Sequence, residues 1–320
     1  MTTLTVGLPL ASLVGDEKAV TTKAVQGFMT GRHTWQADDR PHTLDISQVV
    51  PASQPVGALY DYLLNAEIKM TPDKLKAFTD GIGVLNVGMN TLDVLAAEDR
   101  AANETLTGAA QLGVRRLLDL SNERRLYTVA EMDQRLRAGK VDTTHTLPVW
   151  AHEVKGFIDQ VWGAAWQRFT VVVIVGGGSI LLRDVLARKF GPRAVFPDDP
   201  VLSTANGLYK FARLKKYPDP IAIDLGYGNI KLRGAAGSVI MPAAVSVNGQ
   251  RSLGETVGLK SAARPLHIRA DFGQFYTGGN AHRFGRPVQS LDLDRVAGSP
   301  EMRALFYGAL SKYQAIDLAG

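Results

Sequence analysis

Apolar residues recur along this chain in two rhythms, every second position and every third or fourth. Their alternation predicts an α/β protein. LTVGLPL (4–10) reads as a strand entering a turn. GFMTGRHTWQADDRPHTLDISQVVP (27–51) alternates on both sides of ADDRP, which predicts two strands and a tight turn. GALYDYLLNAEI (57–68) has helical spacing, and GVLNVGMNTLDVLAAE (83–98) is a strand, a glycine turn and a second strand. ETLTGAAQLGVRRLLDL (104–120) resumes a helical period. HEVKGFIDQVWGAAWQRF (152–169) predicts a long amphipathic helix with Phe157, Val161, Trp162 and Trp166 near one face. It runs into TVVVIVGGGS, a buried strand ending in three glycines, after which SILLRDVLARKFG predicts a helix closed by Gly191. TANGLYKFARLKK (204–216) is a further helix, and YPDP (217–220) is the sharpest break in the chain. Beyond it, 221–241 reads as a hairpin, LHIRADFGQFYTGGN (266–280) as strand and glycine turn, and 298–315 as a terminal helix. There is no short-period repeat, but the strand–turn–strand device at 83–95 returns at 221–232. Two related α/β halves are expected.

At 320 residues the chain has length for two modest domains. No apolar run approaches the roughly 18 residues that span a membrane, so membrane insertion is not expected. The first apolar stretch has no basic residues before it, which argues against a signal peptide. Cysteine is absent, which excludes disulfides and thiolate metal sites. A cytoplasmic location is therefore expected. The net charge of +5 is spread out, its densest clusters being Arg115-Arg116, Arg124-Arg125 and Lys215-Lys216. None forms a basic tail, so solvated faces are favoured over a nucleic-acid interface. The six histidines are scattered, and His152-Glu153 lacks the second histidine of a metalloprotease motif. No Walker-type phosphate loop and no nucleophile elbow occurs, and Trp150, Trp162 and Trp166 are expected in packing.

Three glycine-rich turns carry the candidate chemistry. The first runs Asp224, Leu225, Gly226, Tyr227, Gly228, Asn229, Ile230, Lys231. Glycines let a backbone approach a ligand closely and present N–H groups to anionic oxygens. Lys231 adds a point charge, and Asp224 at a strand end suits a Mg²⁺ ion held through its waters. An ordinary hairpin uses the same glycines, so alone this motif decides little. The second turn, Asn86, Val87, Gly88, Met89, Asn90, Thr91, Leu92, Asp93, repeats the layout. The third, Gly176, Gly177, Gly178, Ser179, stands between a hydrophobic strand and a helix start, where free N–H groups favour a phosphate or ribose oxygen.

Taken together, the set resembles the phosphate-1, phosphate-2 and adenosine motifs of the actin–Hsp70–sugar kinase superfamily, and within it the bacterial ParM-type and archaeal actin-like ATPases. DLGYGNIK is similar to the first motif, NVGMNTLD to the second, and VGGGS with FPDDPVLSTANGLYKFA to the stretch that closes the second domain. LTVGLPL, VVPASQPVGALYDYL and FYTGGNAHRFG also look like family segments, so the resemblance covers most of the chain. It implies an α/β, actin-like (ribonuclease H-like) two-domain fold with a nucleotide cleft. The order of motifs differs. In the family phosphate-1 opens the chain, whereas here it follows the other two. Joining residue 320 to residue 1 restores the order, which implies a circular permutant with its former termini linked through YPDP. The implied division is 1–75 as the second part of domain I, 76–203 as domain II, 204–220 as the former C-terminal helix and linker, and 221–320 as the first part of domain I.

The resemblance further implies ATP, or GTP, with Mg²⁺, the metal being held through water by Asp224 and the residue at position 86. The family has an acid where this chain has Asn86. A neutral amide in its place forfeits roughly 1.5–3 kcal/mol of charged hydrogen bonding, so slow hydrolysis is expected unless Asp93 or Asp224 compensates. The residue that orients the attacking water falls in VVPASQPVGAL (49–59), where Gln54 is the suitable side chain. An acid in that role would align near Ala52 or Ser53. The implied function is a nucleotide-dependent filament, assembled head to tail from copies of itself, with a possible adaptor to DNA or a plasmid and slow ATP hydrolysis. A small-molecule kinase of the same superfamily and a binding scaffold that has lost hydrolysis are the alternatives.

Overall fold

A computed structural model describes residues 1–15, 17–247, 264–287 and 298–317. Its strands form two sheets. The smaller has five strands: β4 (Ile82–Val87), β5 (Leu92–Glu98), β6 (Ala101–Ala110), β7 (Val171–Val175) and β8 (Ala194–Val195), in the order β6-β5-β4-β7-β8. β4, β5 and β6 are an antiparallel meander, and β7 joins β4 in parallel with Asn86 opposite Val175. The larger sheet contains β1 (Thr2–Leu8), β2 (Gly31–Ala37), β3 (Arg40–Ser53), β9 (Pro220–Leu225), β10 (Asn229–Gly234), β11 (Gly237–Pro242), β12 (Val245–Val247), β13 (Leu266–Ala270), β14 (Gly273–Thr277) and β15 (Arg286–Pro287). Its order is β11-β10-β9-β1-β3-β2-β13-β14-β12-β15. Here too three consecutive strands form an antiparallel meander at one edge. The strand beside this meander, β1, precedes it in the chain, whereas β7 follows the meander of the smaller sheet.

The helices are α1 (Glu17–Met29), α2 (Gln54–Leu63), α3 (Pro72–Asp80), α4 (Val114–Leu120), α5 (Val129–Arg137), α6 (Thr146–Trp162), α7 (Gly177–Leu181), α8 (Arg183–Phe190), α9 (Ser203–Leu214) and α10 (Pro300–Asp317). β4, β5 and β7 are buried on both faces, as the unbroken apolar run of β7 requires; β4 and β5 bury Asn86 and Asp93 among their apolar residues. On one face Leu85, Val87, Val94 and Ile174 meet Trp150, Val154, Ile158 and Trp162 of α6. On the other, Val84, Leu95 and Val173 meet Ala58, Leu59 and Leu63 of α2. α2 and α9 cross through glycines. A Cβ on Gly207 would fall inside the carbonyl oxygen of Gly57, and one on Gly57 would stand 2.7 Å from the carbonyl oxygen of Thr204. Lys210 locks the crossing, its Nζ reaching Asp61 Oδ1 at 2.7 Å and the carbonyl of Leu64 at 2.9 Å.

On the larger sheet, α10 docks through an aromatic cluster. Trp35 lies stacked between His42 and Tyr307 and donates Nε1–H to Ser311 Oγ at 2.8 Å. His33 bridges the Met29 carbonyl at 2.9 Å and the Tyr307 hydroxyl at 3.2 Å. The predicted turn at ADDRP is present, with Asp38 and Asp39 both left-handed (φ 47° and 65°), the backbone of a two-residue hairpin turn.

Several expectations are corrected. Residues 104–110, expected to begin a helix, belong to strand β6. Thr105, Thr107 and the small residues 108–110 complete the meander, and only from Val114 does the helical period become a helix. The helix expected over 152–169 starts at Thr146 and ends at Gly163, whose positive φ of 49° breaks it before Trp166. The stretch 266–280 is a full hairpin rather than one strand and a turn.

The chain divides into two compact units, unit 1 being Met1–Val6, Gly15–Pro51 and Tyr217–Gly320, and unit 2 Gly7–Val14 and Ala52–Lys216. The divisions fall at 6/7, 14/15, 51/52 and 216/217. The glycine-lined crossing of α2 with α9 carries both helices into unit 2.

Candidate functional site

Unit 1 contributes the β9–β10 hairpin. Its register sets Lys231 directly opposite Asp224, so the two side chains leave the same face of the pair. Lys231 Nζ lies 2.8 Å from Asp224 Oδ2, with the two side chains 14% and 3% exposed. The turn of Gly226, Tyr227 and Gly228 is held close to this pair. A Cβ on Gly226 would stand 2.9 Å from Lys231 Nζ and 2.7 Å from the Asn229 carbonyl oxygen, so the position needs glycine. The Gly228 carbonyl accepts the Ala243 N–H at 3.1 Å, which anchors the turn to the segment after β11.

In unit 2 the β4–β5 hairpin places Asn86 opposite Asp93. Gly88 N–H donates to the Thr91 carbonyl at 2.8 Å, closing the turn. A feature the sequence did not signal holds the turn from behind. The N–H groups of Gly113, Val114 and Arg115, at the start of α4, donate to the carbonyls of Asn90, Gly88 and Met89 at 3.0, 3.0 and 2.7 Å. The first N–H groups of a helix have no partner within it, and here they take up the turn's carbonyls. Gly113 is the signal that could have been read, since a Cβ there would stand 2.5 Å from the Met89 carbonyl oxygen. Among the described residues the amides of Met89 and Asn90 donate to no other group.

The third turn packs on the second. Gly176 has φ 87°, and a Cβ on it would collide with the Val87 carbonyl and stand 2.9 Å from Asn86 Oδ1. Its N–H donates to the Pro200 carbonyl at 2.8 Å, and Ser179 Oγ donates back to the Gly176 carbonyl at 2.7 Å. Gly178 fits against Val87, while around Gly177 there is open space.

Gln54, singled out for positioning a water, opens α2 and is brought to Asn86. Asn86 Nδ2 donates to Gln54 Oε1 at 3.1 Å and to Asp93 Oδ2 at 3.3 Å, and Thr91 Oγ1 donates to the same carboxylate oxygen at 3.4 Å. Gln54, Asn86, Thr91 and Asp93 are all buried, Asp93 completely. Thr204, which the sequence did not single out, donates to the Gln54 carbonyl at 3.4 Å from α9. Within unit 2 the structure therefore gathers Gln54, Asn86, Thr91, Asp93 and the 176–179 turn; within unit 1 it gathers Asp224, Gly226 and Lys231.

Among the described residues no three acidic or histidine side chains form a group that could enclose a metal. Asp224 is engaged by Lys231, and Asn86 is neutral. Taken within its own unit, each residue suits a hydrated cation met through its waters rather than a cage of protein ligands. No helix of the described residues is long and apolar enough to cross a membrane.

No family model matches the sequence, and no curated protein matches it. Solved structures do. The chain is similar to the actin-like protein Alp7A at 12% identity over 67% of this chain and 68% of that one, with a TM-score of 0.55. It is similar to Ta0583, an archaeal actin homologue in complex with ADP, at 21% identity over 67% and 73%, with a TM-score of 0.53. It is also similar to the ParM of a 15-stranded filament from Clostridium botulinum, at 17% identity over 65% and 66%, with a TM-score of 0.51. The chain spans 66% of the length of this ParM and 64% of that of the apo psk41 ParM, somewhat less than two thirds of each. Identities this low show the fold: the chain has the actin-like two-domain α/β fold.

Proposed function

We propose that this chain is a nucleotide-dependent, filament-forming actin-like protein that binds ATP with Mg²⁺ and hydrolyses it slowly. The observation that carries the reading is a doubling. Asp224 to Lys231 and Asn86 to Asp93 are the same device, each on the first hairpin of an edge meander, one in each unit. Packing of the 176–179 turn against Asn86 adds the third motif to the second. In unit 1, Lys231 would supply charge to a phosphate and Asp224 would accept from metal-bound water. In unit 2, the turn amides of Met89 and Asn90 would donate to phosphate oxygens, and Gly176, Gly177, Gly178 and Ser179 would take the ribose and base. ATP supplies the phosphoanhydride bond whose cleavage would switch the polymer.

The fold neighbours support this reading, since one is complexed with ADP and another is a filament. Assembly is head to tail between copies of the chain, with DNA cargo reached through an adaptor. Strand order supports reading the chain as a circular permutant: β9, β10 and β11 occupy the place in the larger sheet that β4, β5 and β6 occupy in the smaller, yet follow β1 in sequence.

Light scattering of the purified protein with Mg-ATP, followed by negative-stain microscopy of the same sample, tests the proposal. A nucleotide-dependent rise with filaments is the expected result. A flat trace over monodisperse protein overturns assembly, and turnover stimulated by a small hydroxyl substrate would instead mark a kinase.

A further inference from the structure

We propose that the adjoining C-terminal ends of α2 and α9, in unit 2, form a basic surface that holds the phosphate backbone of double-stranded DNA directly. The inference goes beyond the filament reading and needs neither nucleotide nor assembly.

The cations lie apart in the sequence, and folding brings them together. Lys210 Nζ reaches Asp61 Oδ1 at 2.7 Å and the Leu64 carbonyl at 2.9 Å, and Phe211 packs on Tyr60 with ring centroids 4.8 Å apart. The two helices therefore end side by side. Beyond α2 the chain is closed by Asn65 and Lys69, the Lys69 N–H donating to Asn65 Oδ1 at 2.8 Å and the Asn65 N–H to the Lys69 carbonyl at 3.1 Å. α3 then brings back Lys74, whose Nζ lies 3.0 Å from the centroid of the Tyr62 ring. The end of α9 adds Arg213, Lys215 and Lys216, all exposed.

Cations also gather at helix C-termini to meet free carbonyls, and solvated faces carry lysines of their own. Neither accounts for this surface. Lys210 already meets the carbonyl at the end of α2. Solvated faces mix the two signs, whereas no acid occurs between Asp199 and Asp219. Residues 57–80 and 204–217 together hold seven cations and four acids. Lys210 takes Asp61 and Lys76 takes Asp80, which leaves five cations against Glu67 and Asp73. Among the described residues those five, Lys69, Lys74, Arg213, Lys215 and Lys216, form no ion pair. Like charges are also held close: burial, and after it the charge of Lys210, lowers the Lys74 ammonium below the ordinary lysine value. Aromatic rings fix the outer cations, Arg213 lying 5.9 Å from the Tyr209 centroid and Lys215 5.6 Å from that of Phe211.

Positive charge that the protein does not match with its own acids attracts an anionic partner. Cations spread over two helix ends suit a run of phosphates better than one small anion. Lysine and arginine neutralise phosphates whatever the bases, so the binding is non-specific and falls with salt. A lipid surface is the poorer fit, because an interfacial face buries several large apolar side chains. In these two segments the exposed large apolar side chains are Leu75 and Leu214.

The test is fluorescence anisotropy of a labelled DNA duplex with the full chain, without nucleotide. Wild-type affinity should fall about a hundredfold between roughly 50 and 200 mM KCl, as about four phosphate contacts require. The combined variant Arg213→Gln, Lys215→Gln, Lys216→Gln should bind roughly tenfold or more weakly at the lower salt, with its salt slope reduced by about 2–3. Lys74→Gln, on a different element, should reduce the slope by about 1. Arg124→Gln with Arg125→Gln, an exposed basic pair elsewhere in unit 2, should leave binding unchanged. Far-UV circular dichroism checks folding, and if the triple variant does not fold, Lys74→Gln decides. A wild type that binds no duplex at the lower salt overturns the inference, as do folded variants that bind with wild-type affinity and slope. Capture of phosphatidylglycerol vesicles in place of duplex, lost in the triple variant, overturns it in favour of a membrane. Duplex binding by a protein that forms no filaments supports this inference while the proposed function falls.

Discussion

His33 shows how one residue couples pH to the attachment of an element. Burial, with a smaller contribution from Arg303, lowers its pKa below the ordinary 6.5, against the raising effects of the Met29 carbonyl and Asp45. The unfolded chain therefore binds the proton more readily than the folded one. Stability from this residue is complete above about pH 6.5 and is lost as pH falls toward the lower folded value. His267, lowered mainly by burial, adds in the same direction. Urea midpoints should decline from pH 7.5 to 5, and His33→Gln should make that decline shallower; an unchanged slope would count against the assignment. Lys231 and Asp224 illustrate the opposite case, a charged pair legible from the sequence. Strand alternation and a short glycine turn place residues seven apart across from each other, and the register does the rest. The contact of Gln54 with Asn86 had no such signal. It spans 32 residues and depends on where α2 begins relative to β4, which tertiary packing decides.

At the scale of elements, the clearest case is the crossing of α2 and α9. Both helices were expected from their apolar spacing, but their contact was not, because two glycines some 150 positions apart carry no local pattern. Gly207→Ala should cost about 3 kcal/mol, since the new methyl collides with the backbone of the facing helix. Gly156→Ala, in α6 with nothing within 4 Å, should stabilise by roughly 0.5–1 kcal/mol. Equilibrium urea unfolding of both variants checks the contrast, and equal effects would refute the crossing. Strand β6 was misread for a physical reason. Its last four residues are Thr, Gly and Ala, which bury too little to show alternation, and neither the edge position nor the irregular register at Val94/Ala96 can be read locally. The glycine hairpins were legible because turn geometry and strand-end chemistry are both local.

For the whole molecule, the test is connectivity. If the order of strands reflects a permutation, a variant opened at Lys216/Tyr217 and closed from residue 320 to residue 1 by a short flexible linker keeps both sheets. Its far-UV circular dichroism should match the parent, with a melting temperature within about 5 °C, a shift of roughly 1–2 kcal/mol for a chain of this size. Loss of the cooperative transition would speak against it. The two-domain fold is foreseeable from the repeated device. The place of β1 also bears on biosynthesis. The ribosome makes this strand well before its sheet neighbour β9 and the Pro218 carbonyl that receives the Thr3 N–H, which emerge more than two hundred residues later. At ordinary elongation rates that interval is on the order of ten to forty seconds. Residues 52–216 can collapse around their own core in the meantime, while a nascent strand with an unpaired edge waits for its partner and stands open to chaperones.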